Sequence, residues 1–147
     1  MKRLLLAAVA LALPAAAQDA GYWHATSNTA RSITGDISIS EEKLTINFFA
    51  YTIANIRPLK PDEVLAVFNT DDPSTGSGNI YRLNIDAKKM MLHKNTLCGA
   101  EDTQYMLTFR SGKTLQLAFF SGSKIPTLTP EGMLNSTALC GTYMYNR

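Results

Sequence analysis

A chain of 147 residues that is 46% hydrophobic and carries a formal charge of +2 has enough apolar mass for one folded domain. Two of its 14 basic residues, Lys2 and Arg3, lie in an N-terminal segment that reads as a targeting signal, and the rest balance the 12 acidic residues. That balance removes the electrostatic case for nucleic acid or an anionic membrane surface.

The chain opens Met1-Lys2-Arg3, runs apolar from Leu4 to Leu13 and continues Pro14-Ala15-Ala16-Ala17. A basic start, a short apolar run and an Ala-x-Ala end form a secretory signal peptide. The apolar run is too short to span a bilayer comfortably. Residues 1–17 are therefore expected to be removed, leaving residues 18–147 as a single β domain in a bacterial periplasm or outside the cell. No cysteine follows the apolar run, so a lipoprotein anchor is not expected.

Trp23 anchors a first predicted strand over Tyr22–Asn28 and should plug one end of a core. Over Arg31–Ser40, Ile33, Gly35, Ile37 and Ile39 fall on one side, the period of a half-buried strand. Leu44–Ile53 follows after a polar turn, with Leu44, Ile46 and Phe48 inward, and the two runs predict a hairpin. Pro58 and Pro61 make Arg57–Asp62 an edge or a crossing loop. Glu63–Asn69 is expected to be a strand, although Pro61-Asp62-Glu63-Val64 also suits a helix start. Asn69–Gly78 is rich in turn formers, and a strand with Tyr81, Leu83 and Ile85 in phase follows it.

The clearest hairpin spans Gln104–Ser121 around Ser111-Gly112. It predicts burial of Leu107, Phe109, Leu115 and Phe119. Ser121–Asn135 is a longer connection with one short helical turn near Pro130-Glu131-Gly132-Met133, and Thr137–Tyr145 closes the chain. Eight or nine short strands without a long helix predict an all-β fold, a small antiparallel β-barrel with a β-sandwich as the alternative.

Cys98 and Cys140, the only cysteines, occupy matched Leu-Cys-Gly settings. Export favours a disulfide between them, tying the last strand to a strand in the middle. Two cysteines alone do not make a metal site, and no metal or cofactor is expected. The sequence contains no Gly-x-Ser-x-Gly elbow, no phosphate-binding Gly-x-x-x-x-Gly-Lys and no His-Glu-x-x-His. His24 and His93 have no motif partner, so an enzyme is not expected. The oxygen-rich Asp71, Asp72, Ser74 and Thr75 lack calcium-loop spacing and read as a solvated loop.

The aromatic residues say more. Phe48-Phe49 and Phe119-Phe120 each place rings on both sides of a strand. In strand phase Phe48 and Phe119 face the core, while Phe49, Tyr51 and Phe120 face away. Those three could bind a small apolar ligand or a periplasmic protein, unless a second layer such as the Trp23 segment covers them.

The stretches Asn95-Thr96-Leu97-Cys98-Gly99-Ala100-Glu101, Leu115-Gln116-Leu117-Ala118-Phe119-Phe120-Ser121-Gly122 and Leu139-Cys140-Gly141-Thr142-Tyr143 resemble those of short exported proteobacterial β-proteins with no assigned activity. Ser121-Gly122-Ser123-Lys124 is similar to the Ser-Gly loop of periplasmic lysozyme inhibitors, which are small barrels. Ile125-Pro126 stands where that family has a tyrosine, so no inhibitory residue is carried over. The resulting expectation is a non-enzymatic periplasmic binding protein, with inhibition of a secreted or cell-wall hydrolase as the alternative. Its candidate contacts are Phe49, Tyr51, Phe120, Ser121 and Lys124.

Overall fold

The computed structural model describes residues 18–147. The signal peptide expected at 1–17 lies outside the described residues.

Short alternating runs build nine strands: β1 (Gly21–Ala25), β2 (Ile37–Ile39), β3 (Lys43–Ile46), β4 (Phe49–Thr52), β5 (Ala54–Pro58), β6 (Ser77–Ile85), β7 (Thr103–Ser111), β8 (Thr114–Ser121) and β9 (Leu139–Asn146). They pair antiparallel in the order β4-β3-β2-β1-β9-β8-β7-β6-β5. Three short α-helices lie between them: α1 (Asn28–Ile33), α2 (Pro61–Val67) and α3 (Pro130–Leu134). The ladder ends at β4 and β5, and no pairing joins those two among the described residues. Both end strands are nevertheless consecutive in the chain, with Ile53 alone between them. The exposed edge of β5 is blunted by Pro58 and by a bulge between Asn55 and Arg57, devices that discourage pairing with another chain.

The sheet buries both faces of β6, β7 and β8. On the inner face Trp23, Leu44, Ile46, Tyr81, Met106, Leu117, Phe119, Tyr143 and Tyr145 form the larger core. On the outer face Ile80, Leu107, Phe109, Ala118 and Phe120 form a second core with Val64 and Phe68 of the α2 segment and Leu128 beside α3. Leu107, Phe109, Leu115 and Phe119 are all buried as expected, divided between the two cores. The β7–β8 turn itself is Gly112-Lys113, flanked by the Ser111–Thr114 pair, with Gly112 at φ 58°. Cys98 and Cys140 are bonded, at an S–S distance of 2.03 Å. The bond joins β9 to the connection between β6 and β7 rather than to a strand.

Three local expectations are corrected. Arg31–Ser40 is not one strand. The Ser27 hydroxyl accepts a hydrogen bond from the Ala30 N–H at 3.1 Å and starts α1, and a turn at Gly35 (φ 62°) then leads into β2. Residues 61–67 form helix α2, not a strand. Pro61 occupies its first turn, and Glu63 accepts the Lys60 N–H at 2.8 Å. Leu44–Ile53 breaks at Asn47-Phe48, both at positive φ (48° and 68°), the signature of a two-residue hairpin turn.

That turn resets the strand phase. Phe49 pairs with Ile46 and Tyr51 with Leu44, so Phe49 and Tyr51 share the inner face with those residues instead of opposing them. Phe48 sits in the turn itself and faces no core.

Candidate functional site

The residues expected to bind do not converge. Phe49 is 52% exposed and lies beneath the Lys89 ammonium, 2.9 Å from its ring centroid. Tyr51 is half-buried against the inner core, and its hydroxyl has no hydrogen-bond partner among the described residues. Four strands separate β4 from β8 in the ladder, so Phe49 and Tyr51 are remote from Phe120 in the sheet order. Phe120 is fully buried in the second core and is not a surface contact. The layer over it comes from α2 and α3, not from the Trp23 segment. Ser121 is also buried, with its N–H donating to the Ala138 carbonyl at 2.9 Å. Lys124 is exposed, as are its neighbours Gly122, Ser123 and Ile125.

The rings that do gather at the surface are Tyr22 and Phe48. Tyr22, Ser38 and Thr45 are cross-strand neighbours on β1, β2 and β3, one row on the outer face of this half of the sheet. They line a cleft of about 290 Å³ with Asp36, Phe48 and Leu92. The turn after α1 places Asp36 at its rim. Gly35 is required there, because its φ of 62° suits glycine and an added Cβ would stand 3.1 Å from Leu92 Cδ1. Leu92 belongs to a connection fastened to α1, where the Asn95 side-chain amide donates to the Ser32 carbonyl at 3.1 Å.

Asp36 is held firmly. Its Oδ1 accepts the Ala25 backbone N–H at 2.8 Å, and its Oδ2 accepts the Tyr22 hydroxyl at 3.1 Å. His24 Nδ1 also lies 3.1 Å from Oδ2. The Ala25 N–H foremost, aided by His24 and Tyr22, holds the carboxyl below the usual carboxylate range. The same hydrogen bond to Asp36 raises the Tyr22 phenol. A carboxylate orienting an imidazole is one part of a nucleophilic site. Among the described residues no hydroxyl or thiol is hydrogen-bonded to the other nitrogen of His24.

Phe48 projects from the rim and is 99% exposed. The second position of such a turn favours glycine, and a large residue at positive φ is strained. Phe48 therefore meets an unfavourable backbone and gains no burial in return. Asn47, a common turn former inside a ten-residue alternating run, was the sequence signal for this break. Nothing comparable marked Asp36, because its role depends on the register of β1 against β2.

No family model matches the chain, and no curated protein or solved structure does either. Among the described residues no helix is long and apolar enough to cross a membrane.

Proposed function

We propose that this chain is a non-enzymatic binding protein of the bacterial periplasm or exterior, and that it engages a protein partner through Phe48 and the adjoining cleft. The observation that carries the reading is the 99% exposed Phe48 at φ 68°, which neither packing nor backbone preference explains. An aromatic anchor of this kind is typical of binding hot spots. The disulfide and the apolar Leu4–Leu13 segment support an oxidising, exported location. The rolled sheet is taken as a small barrel, a reading supported by the single-residue link at Ile53 between its end strands. A small apolar ligand inside it is disfavoured, because Trp23, Phe119, Tyr143 and Tyr145 fill that interior.

A photoreactive side chain placed at position 48 in the producing cell tests the reading. A discrete protein adduct is expected there and not at Leu134, an 87% exposed control. Equal labelling at both positions, or none at either, overturns it.

The inhibitor alternative keeps one supporting observation, the run of exposed residues from Gly122 to Ile125. Its test is the purified protein titrated against a lysozyme. Inhibition that is weakened by Lys124→Glu and untouched by Phe48→Ala would favour that loop.

A further inference from the structure

We infer that the cleft beside Phe48 receives a basic side chain, arginine or lysine, from the protein partner; this deepens the reading above and rests on it. Ten residues line the cleft, and none of them is basic. Its one charge is Asp36. Among the described residues no lysine or arginine forms a salt bridge with that carboxylate, and only His24, charged when protonated, stands beside it. The carboxylate is held by the Ala25 N–H and the Tyr22 hydroxyl, with His24 Nδ1 3.1 Å from Oδ2. These fix its position and leave its charge to be matched from outside. Around it lie Tyr22 and Leu92, with Phe48 at the rim and its ring almost wholly in water.

A carboxylate with aromatic and aliphatic walls matches a long aliphatic stem ending in a cation. The stem covers apolar surface, and the head meets the carboxylate and the ring faces. A single carboxylate offers too few oxygens for calcium, which takes six to eight. An anionic group would meet Asp36 with no lysine or arginine to offset it, and His24 only when protonated. The wholly exposed Phe48 ring decides between a side chain and a free small cation. A ring at the rim with almost all of its surface in water needs a second surface to enclose it, and a macromolecular partner supplies both that surface and the cation.

The test uses the full-length mature protein and three probes followed by amide NMR: N-acetyl-arginine amide, N-acetyl-norleucine amide and tetramethylammonium. Saturable shifts at Ala25, Ser38 and Thr45 with the arginine probe are expected, at least tenfold weaker with norleucine. Asp36→Asn keeps an oxygen for the Ala25 N–H, so it is expected to fold. It should weaken the arginine probe at least tenfold and reduce the adduct formed from position 48. Phe48→Ala, at a fully exposed site, provides a second variant that cannot fail by losing core packing, and should weaken the arginine probe severalfold. Equal binding of norleucine and arginine would make the cleft merely apolar and overturn the inference. Binding of tetramethylammonium alone would assign it to a small free cation and overturn it likewise. An undiminished adduct in Asp36→Asn, with no response to arginine, would also overturn it while leaving the partner reading in place. Loss of the adduct from the unmodified cleft would instead remove that reading.

Discussion

The hydroxyl of Tyr81 donates a 2.7 Å hydrogen bond to the carboxylate of Asp19, a side chain with no exposed surface. Thr108 donates to the same oxygen at 2.6 Å and the Asn79 amide at 3.1 Å. These donors line the inner face of β6 and β7, so the first described residues are threaded into one end of the core. The Trp23 indole N–H completes the closure by donating to the Asp19 carbonyl at 2.9 Å.

This burial has a pH consequence. Desolvation raises the Asp19 carboxyl above the usual carboxylate range, although its hydrogen bonds oppose that shift. A raised folded-state value means that the native state holds the proton longer than the unfolded state. The contribution of Asp19 to stability is therefore greatest below about pH 4 and declines as pH rises through the folded value. Urea midpoints measured between pH 4 and 8 should fall with a slope that Asp19→Asn removes. A slope identical in the two proteins would contradict the assignment. Asp19→Ala takes the acceptor from buried hydroxyls and should cost roughly 2–5 kcal/mol.

Glu63 should show the opposite sign. Its two oxygens accept from Arg57 at 2.7 and 2.8 Å, joining α2 to the β5 edge. The Arg57 hydrogen bonds, more than the Lys60 N–H, hold its carboxyl below the ordinary glutamate value of about 4.3. The stabilisation is thus complete above that value and lost as pH falls through the lower folded value. Arg57 is more than a third exposed, so water screens the pair and Glu63→Gln should cost only about 1 kcal/mol at neutral pH. The gap between the two proteins should close as acid is added. A gap that persists at pH 2 would mean that packing, not charge, is responsible.

Strand existence was legible in β6, β7 and β8, where the alternation runs through a single strand. It misled where two structures shared one phase. Ile33 and Ile37 keep strand spacing, yet the Ser27 cap draws Ile33 into α1. At Asn47-Phe48 the alternation continues through a turn, and the faces of Phe49 and Tyr51 changed with it. Burial of Phe120 could not be seen either, because its cover comes from α2 and the segment around α3, both too short to show a helical period. Asp19 was invisible for a related reason: an acidic residue near a terminus reads as solvated until the fold places donors around it.

The disulfide should stabilise chiefly by restraining the unfolded chain. It spans 42 residues, and chain-entropy arithmetic assigns such a loop about 4 kcal/mol as an upper figure. Denaturing thiol labelling without reductant should detect no free sulfhydryl. The double variant Cys98→Ser, Cys140→Ser should unfold at markedly lower urea. An unchanged midpoint would show that the chain is restrained equally well without the bond.

Phe120 provides a test of the second core. It pairs with Tyr105 and is enclosed by the layer that α2 and α3 form. Phe120→Ala should cost roughly 3–5 kcal/mol, as deletion of a buried ring usually does. A loss below about 1 kcal/mol in denaturant melts would mean that this outer layer is loosely seated, and that Phe120 is available to a partner after all.

Phe48 should respond in the reverse direction, and that reversal separates a binding residue from a structural one. Its backbone lies at φ 68° between Ile46 and Phe49, which pair directly across the turn. Glycine accepts that conformation without a Cβ penalty, though it also gives the unfolded chain more freedom to lose. The strain of about 1–2 kcal/mol for an L-residue in this region exceeds the entropic cost of glycine by a modest margin. Phe48→Gly should therefore raise stability by roughly 0.5–1 kcal/mol, since no burial is forfeited. The same substitution removes the projecting ring and should weaken partner binding by about 2 kcal/mol or more if the ring is an anchor. Urea melts read the first effect, and competition between variant and parent protein for the adduct-forming partner reads the second. Greater stability with weaker binding is the expected pairing. A variant that is more stable and binds as well as the parent would leave the strained ring without a role in recognition.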